Sequence, residues 1–341
     1  MDEKDNPRNL REEEEETKDL ISSLSWEIDY IGNKLFKYEG HWYYEDILQS
    51  IPNLNTGFKP QETDVIVASF PKCGTTWLKA LTFALVQRSK HPLGDHHHHP
   101  LLSHNPHEVM PYLELDLYLK TSKPDLTKFL SSSSSPRLFS THMPLHVLQV
   151  PLKESPCKIV YVCRNLKDVL VSLWHFLNAN KGVEWNDFSQ KEKIVRVEDY
   201  SFEAMFESVC NGVTLYGPFW DHALSYWRGS LEDPKHVLFL MYEDLKAEPR
   251  TQLKRLADFL DCPFTKEEED SGSVDKILEL CSLSNLSSLE INKTGASGGV
   301  DYKTYFRKGE VGSWKSYVTP EMENKIDMIT EEKLKGSGLN F

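Results

Sequence analysis

In 68-ASFPKCGTTWLKAL-81 an apolar run ends at Phe70, a turn of Pro71, Lys72, Cys73 and Gly74 follows, and a helical pattern starts at Thr75. Strand–turn–helix junctions of this kind hold phosphates in α/β proteins, because free amides and the dipole of the first helical turn favour an anion. Pro71 fixes φ, and Gly74 lets the backbone come close to a ligand. Thr75 and Thr76 add hydroxyl donors, Lys72 adds a mobile charge, and Trp77 offers a flat face to a base. The common phosphate loop G-x-x-x-x-G-K-[ST] is absent, since Lys72 precedes Gly74 and no second glycine is present. The stretch therefore reads as an anion site of a different design. The alternative is a capped helix start with a snorkelling lysine.

Outward from this turn the same architecture recurs. Apolar runs at 64–70, 137–142, 158–164 and 236–243 predict buried strands. Helical patterns at 75–88, 166–179, 202–212, 219–229, 251–260 and 320–334 cover them. The alternation predicts an α/β protein with a single parallel β-sheet flanked by helices. Segments 91–107 and 294–300 read as loops, and 131–135 (SSSSS) as a surface turn. In 158-KIVYVCRNLKDVLVSL-173 a strand ends in Arg164 and a helix carrying Ser172 follows. Two adjacent strand ends offering Lys72 and Arg164 make a two-anion site at the carboxyl edge of the sheet. His142 closes a third strand at that edge, where its ordinary pKa of about 6.5 suits a general base; a structural histidine is the other reading. Arg307, Lys308 and Gly309 form either an exposed basic turn or a flexible clamp on a phosphate.

Composition sets limits on all of this. The chain has 341 residues, 39% hydrophobic and 27% charged, and a formal net charge of −13. That balance is globular, and its acidity argues against a general nucleic-acid binder. No apolar leader and no run long enough to cross a membrane is visible, so the reading is soluble and cytoplasmic. The six cysteines show no metal spacing. Residues 1–17, with the Glu12–Glu16 run, read as a disordered acidic tail, and 18–341 as one domain. The contiguous run His96–His99 reads as a low-complexity loop rather than a metal site.

Together, SFPKCGTTWLKAL, KIVYVCRNLKDVLVSLWHF and YFRKGEVGSW resemble the soluble sulfotransferases that use 3′-phosphoadenylyl sulfate (PAPS). HPLLSHNPHEVMPYLEL, STHMP, YGPFWDHALSYW and LCSLSNLSSLEINK are similar to the plant branch. The resemblance runs from about residue 20 to the C-terminus. It implies a P-loop-like α/β fold, no metal, and transfer of a sulfuryl group from PAPS to a hydroxyl, leaving 3′,5′-ADP. It implies that Lys72, Cys73, Gly74, Thr75 and Thr76 cradle the 5′-phosphosulfate, with Trp77 against the adenine. Arg164 and Ser172, with Arg307, Lys308 and Gly309, would hold the 3′-phosphate. Tyr216 and the segment around Cys281 would border the adenine. His142 would take the acceptor proton, and Lys72 would stabilise the leaving oxygen.

The sequence departs from the family's pattern at a few points. Cys73 stands where Ser or Thr is usual, Cys281 where animal relatives have Thr, and Ser313 where G-D-W has Asp. Pro320 and Asn324 break the animal dimer motif, so a monomer is expected. The plant branch sulfates flavonoids, brassinosteroids, hydroxyjasmonates and desulfoglucosinolates. Trp42, Tyr43, Tyr44, His107, Tyr112 and Met143 are candidates for an apolar acceptor pocket that suits a flat or steroid-like alcohol. Two other classes compete. Glu243 and Asp244 mimic the metal-holding strand end of a small-molecule kinase, and a non-catalytic binder of adenosine phosphates needs the same anion sites.

Overall fold

The computed structural model describes residues 19–91, 99–127, 136–153, 155–183 and 199–341. The acidic tail 1–17, most of the histidine run and the serine run lie outside the described residues. The chain enters through a small antiparallel sheet of β1 (Trp26–Ile28), β2 (Lys34–Tyr38) and β3 (His41–Tyr43), then α1 (Glu45–Gly57). The main sheet follows: β4 (Val65–Ser69), β5 (Leu138–Thr141), β6 (Lys158–Cys163) and β7 (Val237–Met241), in spatial order β5-β4-β6-β7. Every pairing in it is parallel. The carboxyl ends of all four strands therefore meet along one edge.

Side-chain alternation along these strands builds two cores. Val65, Val67, Val160, Val162 and Leu240 face one layer, with α2 (Thr75–Gln87) contributing Leu78, Leu81 and Leu85. Ile66, Ala68, Tyr161 and Phe239 face the other. There they meet α4 (Leu166–Ala179) and α6 (Phe219–Glu232), while α3 (Leu145–Leu152) and α5 (Phe202–Cys210) lie on the same side. Strands buried on both faces read as continuous Val/Ile/Leu runs, which is why these four are legible in the sequence. The run predicted as a strand through Glu243 stops at Met241. The chain turns there into α7 (Tyr242–Ala247), followed by α8 (Pro249–Phe259), α9 (Ser273–Leu280) and α10 (Pro320–Leu334).

Two segments predicted as loops carry structure. His104 is followed by a one-turn helix, Pro106–Val109, closed by a capping box between Asn105 and Glu108. The Asn105 amide donates to Asn292 Oδ1 at 2.7 Å, pinning this turn to a distant part of the chain. Ala296–Ser297 and Val300–Asp301 pair through Gly298 and Gly299, both in the left-handed region that a tight hairpin demands. Among the described residues no helix is long and apolar enough to cross a membrane.

Candidate active site

The carboxyl edge of the main sheet opens into a cavity of about 420 Å³. Its floor is the turn between β4 and α2. Gly74 has φ +109°, and a Cβ there would lie 2.7 Å from the Tyr242 ring, so only glycine fits on two counts. Lys72 also adopts a left-handed φ of +69°, a conformation that costs free energy in a non-glycine residue. It aims the ammonium inward, 3.7 Å from the centre of the Phe176 ring and 5.5 Å from that of Tyr305. No carboxylate among the described residues pairs with it. Burial first, then the Arg307 and Arg164 charges, pushes its pKa down to about 7.

Arg164, at the end of β6, is 5% exposed and stands over the Tyr242 ring at 4.3 Å. Its Nη2 donates to the Glu310 carbonyl at 2.6 Å. Its Nε, and Nε and Nη1 of Arg307, are buried with no hydrogen-bond partner among the described residues. Buried guanidinium donors left unpaired are costly, so the arrangement fits an anion that accepts from both side chains. Ser172, two turns into α4, lines the same cavity. Asp168, fully buried on α4, accepts from the Gly312 and Trp314 amides at 2.7 and 3.1 Å and from the Ser313 hydroxyl at 3.0 Å. It thus fastens the chain after Gly309 to the helix that follows Arg164. Ser313, the departure from G-D-W, joins this network and accepts from Arg307 Nη2 at 3.3 Å.

His142 follows β5 directly. Its Nδ1 lies 2.7 Å from the Ser69 carbonyl, which can only accept, so Nδ1 carries the hydrogen and Nε2 keeps its lone pair. Burial, with Lys79 and Lys72 nearby, lowers its pKa to about 3 despite that hydrogen bond, and the ring is held neutral. Glu114, also buried, accepts from the His142 amide at 2.7 Å and from the Thr141 hydroxyl at 2.8 Å, fixing the backbone beneath the ring. The other histidines near this edge are committed elsewhere. His222 spans the Tyr161 hydroxyl and the His142 carbonyl at 2.9 Å each, and His175 Nε2 meets the Tyr317 hydroxyl at 2.9 Å.

Of the residues singled out in the sequence, Lys72, Gly74, Thr75, Thr76, Trp77, His142, Arg164, Ser172, Arg307 and Gly309 all line this one cavity. Two placements differ from expectation. The Cys73 side chain is fully buried in the core and its amide is spent on the Phe70 carbonyl, so its thiol does not reach the cavity. Lys308 is exposed on the outer side of the turn whose inner side Arg307 occupies. Tyr216 and Cys281 line this cavity as well. The Tyr216 ring lies 5.6 Å from His142 and 6.1 Å from Tyr43, and Cys281 reaches the cavity from the core on the other side of the sheet.

The tyrosine beside Trp77 is Tyr242, missed in the sequence because it ends what reads as a strand. Its ring centre lies 5.6 Å from that of Trp77, and its hydroxyl donates to the Gly309 carbonyl at 2.9 Å. Of the acceptor-pocket candidates, Tyr44, His107 and Tyr112 line the cavity, while Trp42, Tyr43 and Met143 are buried behind it. Ile31, Leu115, Leu173, Leu177 and Leu215 supply the apolar wall. Glu243, the residue that suggested a kinase, accepts from the Asn165 amide at 3.1 Å and does not line the cavity.

A parallel sheet with two cationic strand-end turns and a neutral histidine beside them defines an α/β protein built to hold an anionic ligand next to a base. Residues 62–338 match the model of the sulfotransferase domain. The chain is 80% identical to cytosolic sulfotransferase 9 and 77% identical to cytosolic sulfotransferase 10 of Arabidopsis thaliana, each match covering 100% of both chains. A crystal structure of a candidate steroid sulphotransferase of Arabidopsis thaliana superposes with a TM-score of 0.72 at 37% identity, covering 98% of each chain. A mouse sulfotransferase complexed with PAP gives 0.63 at 26% identity, covering 89% of this chain and 95% of that one. The chain belongs to the sulfotransferase family.

Proposed function

We propose that the protein is a cytosolic enzyme that transfers the sulfuryl group of PAPS to a hydroxyl of a small plant metabolite, releasing 3′,5′-ADP (PAP). The observation that carries this reading is the set of buried, unpaired guanidinium donors on Arg164 and Arg307, in one cavity with a neutral His142. Their fit to a second phosphate selects a 3′-phosphorylated nucleotide. Lys72, Gly74, Thr75 and Thr76 hold the 5′ end, Trp77 and Tyr242 flank the base, and Ser172 joins Arg164 and Arg307 at the 3′-phosphate. That a mouse relative is solved in complex with PAP supports the choice of nucleotide.

PAPS supplies a sulfuryl group on a phosphate that leaves readily. His142 Nε2 takes the proton of the acceptor hydroxyl as its oxygen bonds to sulfur. Lys72 meets the negative charge left on the phosphate oxygen as the old S–O bond breaks. The aliphatic and tyrosine wall beside His142 suits a flat or alicyclic alcohol of flavonoid or steroid type. Hydroxyjasmonates and desulfoglucosinolates complete the panel to be tried. Incubation with labelled PAPS and these four acceptor classes tests the reading, and labelled sulfate is expected on at least one. Magnesium-dependent turnover of ATP, or tight PAP binding with no transfer to any alcohol, would overturn it.

A further inference from the structure

Lys79 is fully buried one turn into α2, yet it is a lysine with no carboxylate within salt-bridge distance among the described residues. Its Nζ sits 3.5 Å from the centre of the Tyr112 ring and 2.9 Å from His107 Nδ1. The opposite nitrogen of that imidazole, Nε2, lies 2.9 Å from the Thr76 hydroxyl. His107 is itself held firmly. Its amide donates to Asn105 Oδ1 at 2.9 Å, and its ring lies 5.6 Å from Tyr112, nearly parallel at 20°, and 4.3 Å from Tyr305.

We propose that Lys79 and His107 are positioning residues that fix the direction of the Thr76 hydroxyl, so that its hydrogen points at the 5′ group of the nucleotide. The argument is an inventory of hydrogens, and it rests on the reading above that the 71–77 turn holds that group. Burial pushes the Lys79 pKa down to about 7, so at pH 6.5 the group is mainly an ammonium, which has donors and no acceptor, and His107 Nδ1 accepts from it. A neutral imidazole that accepts at Nδ1 carries its hydrogen on Nε2 and donates it to Thr76 Oγ1. The Thr76 hydroxyl then receives on oxygen, and its own hydrogen has no protein acceptor among the described residues. It is left for the ligand. Burial first, then the charges of Lys79 and Lys72, keeps His107 neutral, and the face of the Tyr112 ring favours the ammonium of Lys79. A serine or threonine hydroxyl is otherwise free to rotate and to act in either sense; here the chain of donors removes that freedom before the nucleotide arrives.

The test is calorimetric titration at pH 6.5 of two nucleotides, 3′,5′-ADP and adenosine 3′-phosphate, which lacks the 5′-phosphate. Lys79→Met keeps the stem and removes the donor. It is expected to weaken 3′,5′-ADP about 3- to 10-fold, the value of one hydrogen bond, and to leave adenosine 3′-phosphate unchanged. In a Thr76→Val background the same change is expected to have no further effect. His107→Phe keeps the ring and breaks both bonds, so it should reproduce the selective loss; it carries the comparison if Lys79→Met does not fold. Equal loss for both nucleotides, no loss for either, or an undiminished effect in Thr76→Val overturns the proposal. If Thr76→Val itself weakens 3′,5′-ADP while Lys79→Met and His107→Phe do not, the relay is wrong and the assignment of the turn stands. If Thr76→Val leaves both nucleotides unaffected, the turn does not hold the 5′ group and both ideas fall.

Discussion

His142 is readied by its surroundings rather than by its own chemistry. The Ser69 carbonyl fixes the tautomer, and Glu114 fixes the backbone on which the ring sits. His142→Ala should lower kcat about 10²- to 10⁴-fold, the range for a positioned general base, with 3′,5′-ADP affinity nearly unchanged. Near-normal turnover would make the residue structural. With its pKa lowered to about 3 in the empty protein, the base is deprotonated above that pH. Turnover should therefore persist at pH 5.5, where an ordinary imidazole is about nine-tenths protonated; an acid limb near 6.5 would contradict this. Arg164 and Ser172 separate the nucleotide ends. Alanine at either should weaken 3′,5′-ADP roughly 10- to 150-fold and leave 5′-AMP nearly alone, with the larger loss at Arg164, which can bind bidentately. Equal losses would move the pair to the fold or to the 5′ end. His142 and Arg164 were legible because each ends an apolar run, and Ser172 because the helix after Arg164 carries it. Cys73 and Lys308 were misplaced because sequence does not say which side of a turn a side chain takes. Tyr216 and Tyr242 each follow a hydrophobic stretch, and only the backbone decides which of them meets Trp77.

At the scale of elements, the turn before α2 and the start of α7 are built against each other. Gly74 is the contact, with a left-handed φ and with Tyr242 2.7 Å from where a Cβ would be. Gly74→Ala should destabilise the protein by about 1–3 kcal/mol and displace Tyr242 from Trp77. Denaturant melts and tryptophan fluorescence would report it, and an unchanged midpoint would show that the turn gives way freely. This junction could be read in part because glycine and proline punctuate it. The amino-terminal sheet could not. β2 reads KLFKY, whose buried pair Leu35–Phe36 breaks the alternation expected of a half-buried strand. α1 and α3 were hidden by Pro52 and Pro151, residues that argue against a helix interior until tertiary packing overrides them. α7 was absorbed into the preceding strand because Tyr and Met suit both structures. Nothing in the sequence sets Asp168 apart from an ordinary helix-surface charge. Only the fold brings the Gly312–Trp314 turn onto it.

Taken as a whole, the protein is acidic, with a formal charge of −13, yet it gathers Lys72, Arg164 and Arg307 around one cavity. Packing cations together out of water is unfavourable until an anion arrives, and Lys72 bears that cost as a pKa lowered to about 7. Two consequences follow in opposite directions. Unfolded, Lys72 holds its proton up to its ordinary value near 10.5. The unfolded chain thus binds more protons between about pH 7 and 10.5, and across that window this group makes the empty protein more stable as pH rises. Nucleotide binding does the reverse, because the phosphate beside Lys72 raises its pKa again. At pH 8 the phosphates of 3′,5′-ADP are already ionised, since a phosphomonoester loses its second proton near pH 6. Binding at pH 8 should then draw a proton onto Lys72, and affinity should fall as pH rises through 7 to 9. Titration of 3′,5′-ADP in two buffers of different ionisation heat measures that proton directly, and a net uptake of several tenths of a proton is expected. Lys72→Met should abolish the uptake while keeping the Arg164 and Arg307 contribution to affinity. Zero uptake in the parent protein, or uptake that survives Lys72→Met, would show that Lys72 is already fully protonated in the empty cavity or that another group takes the proton.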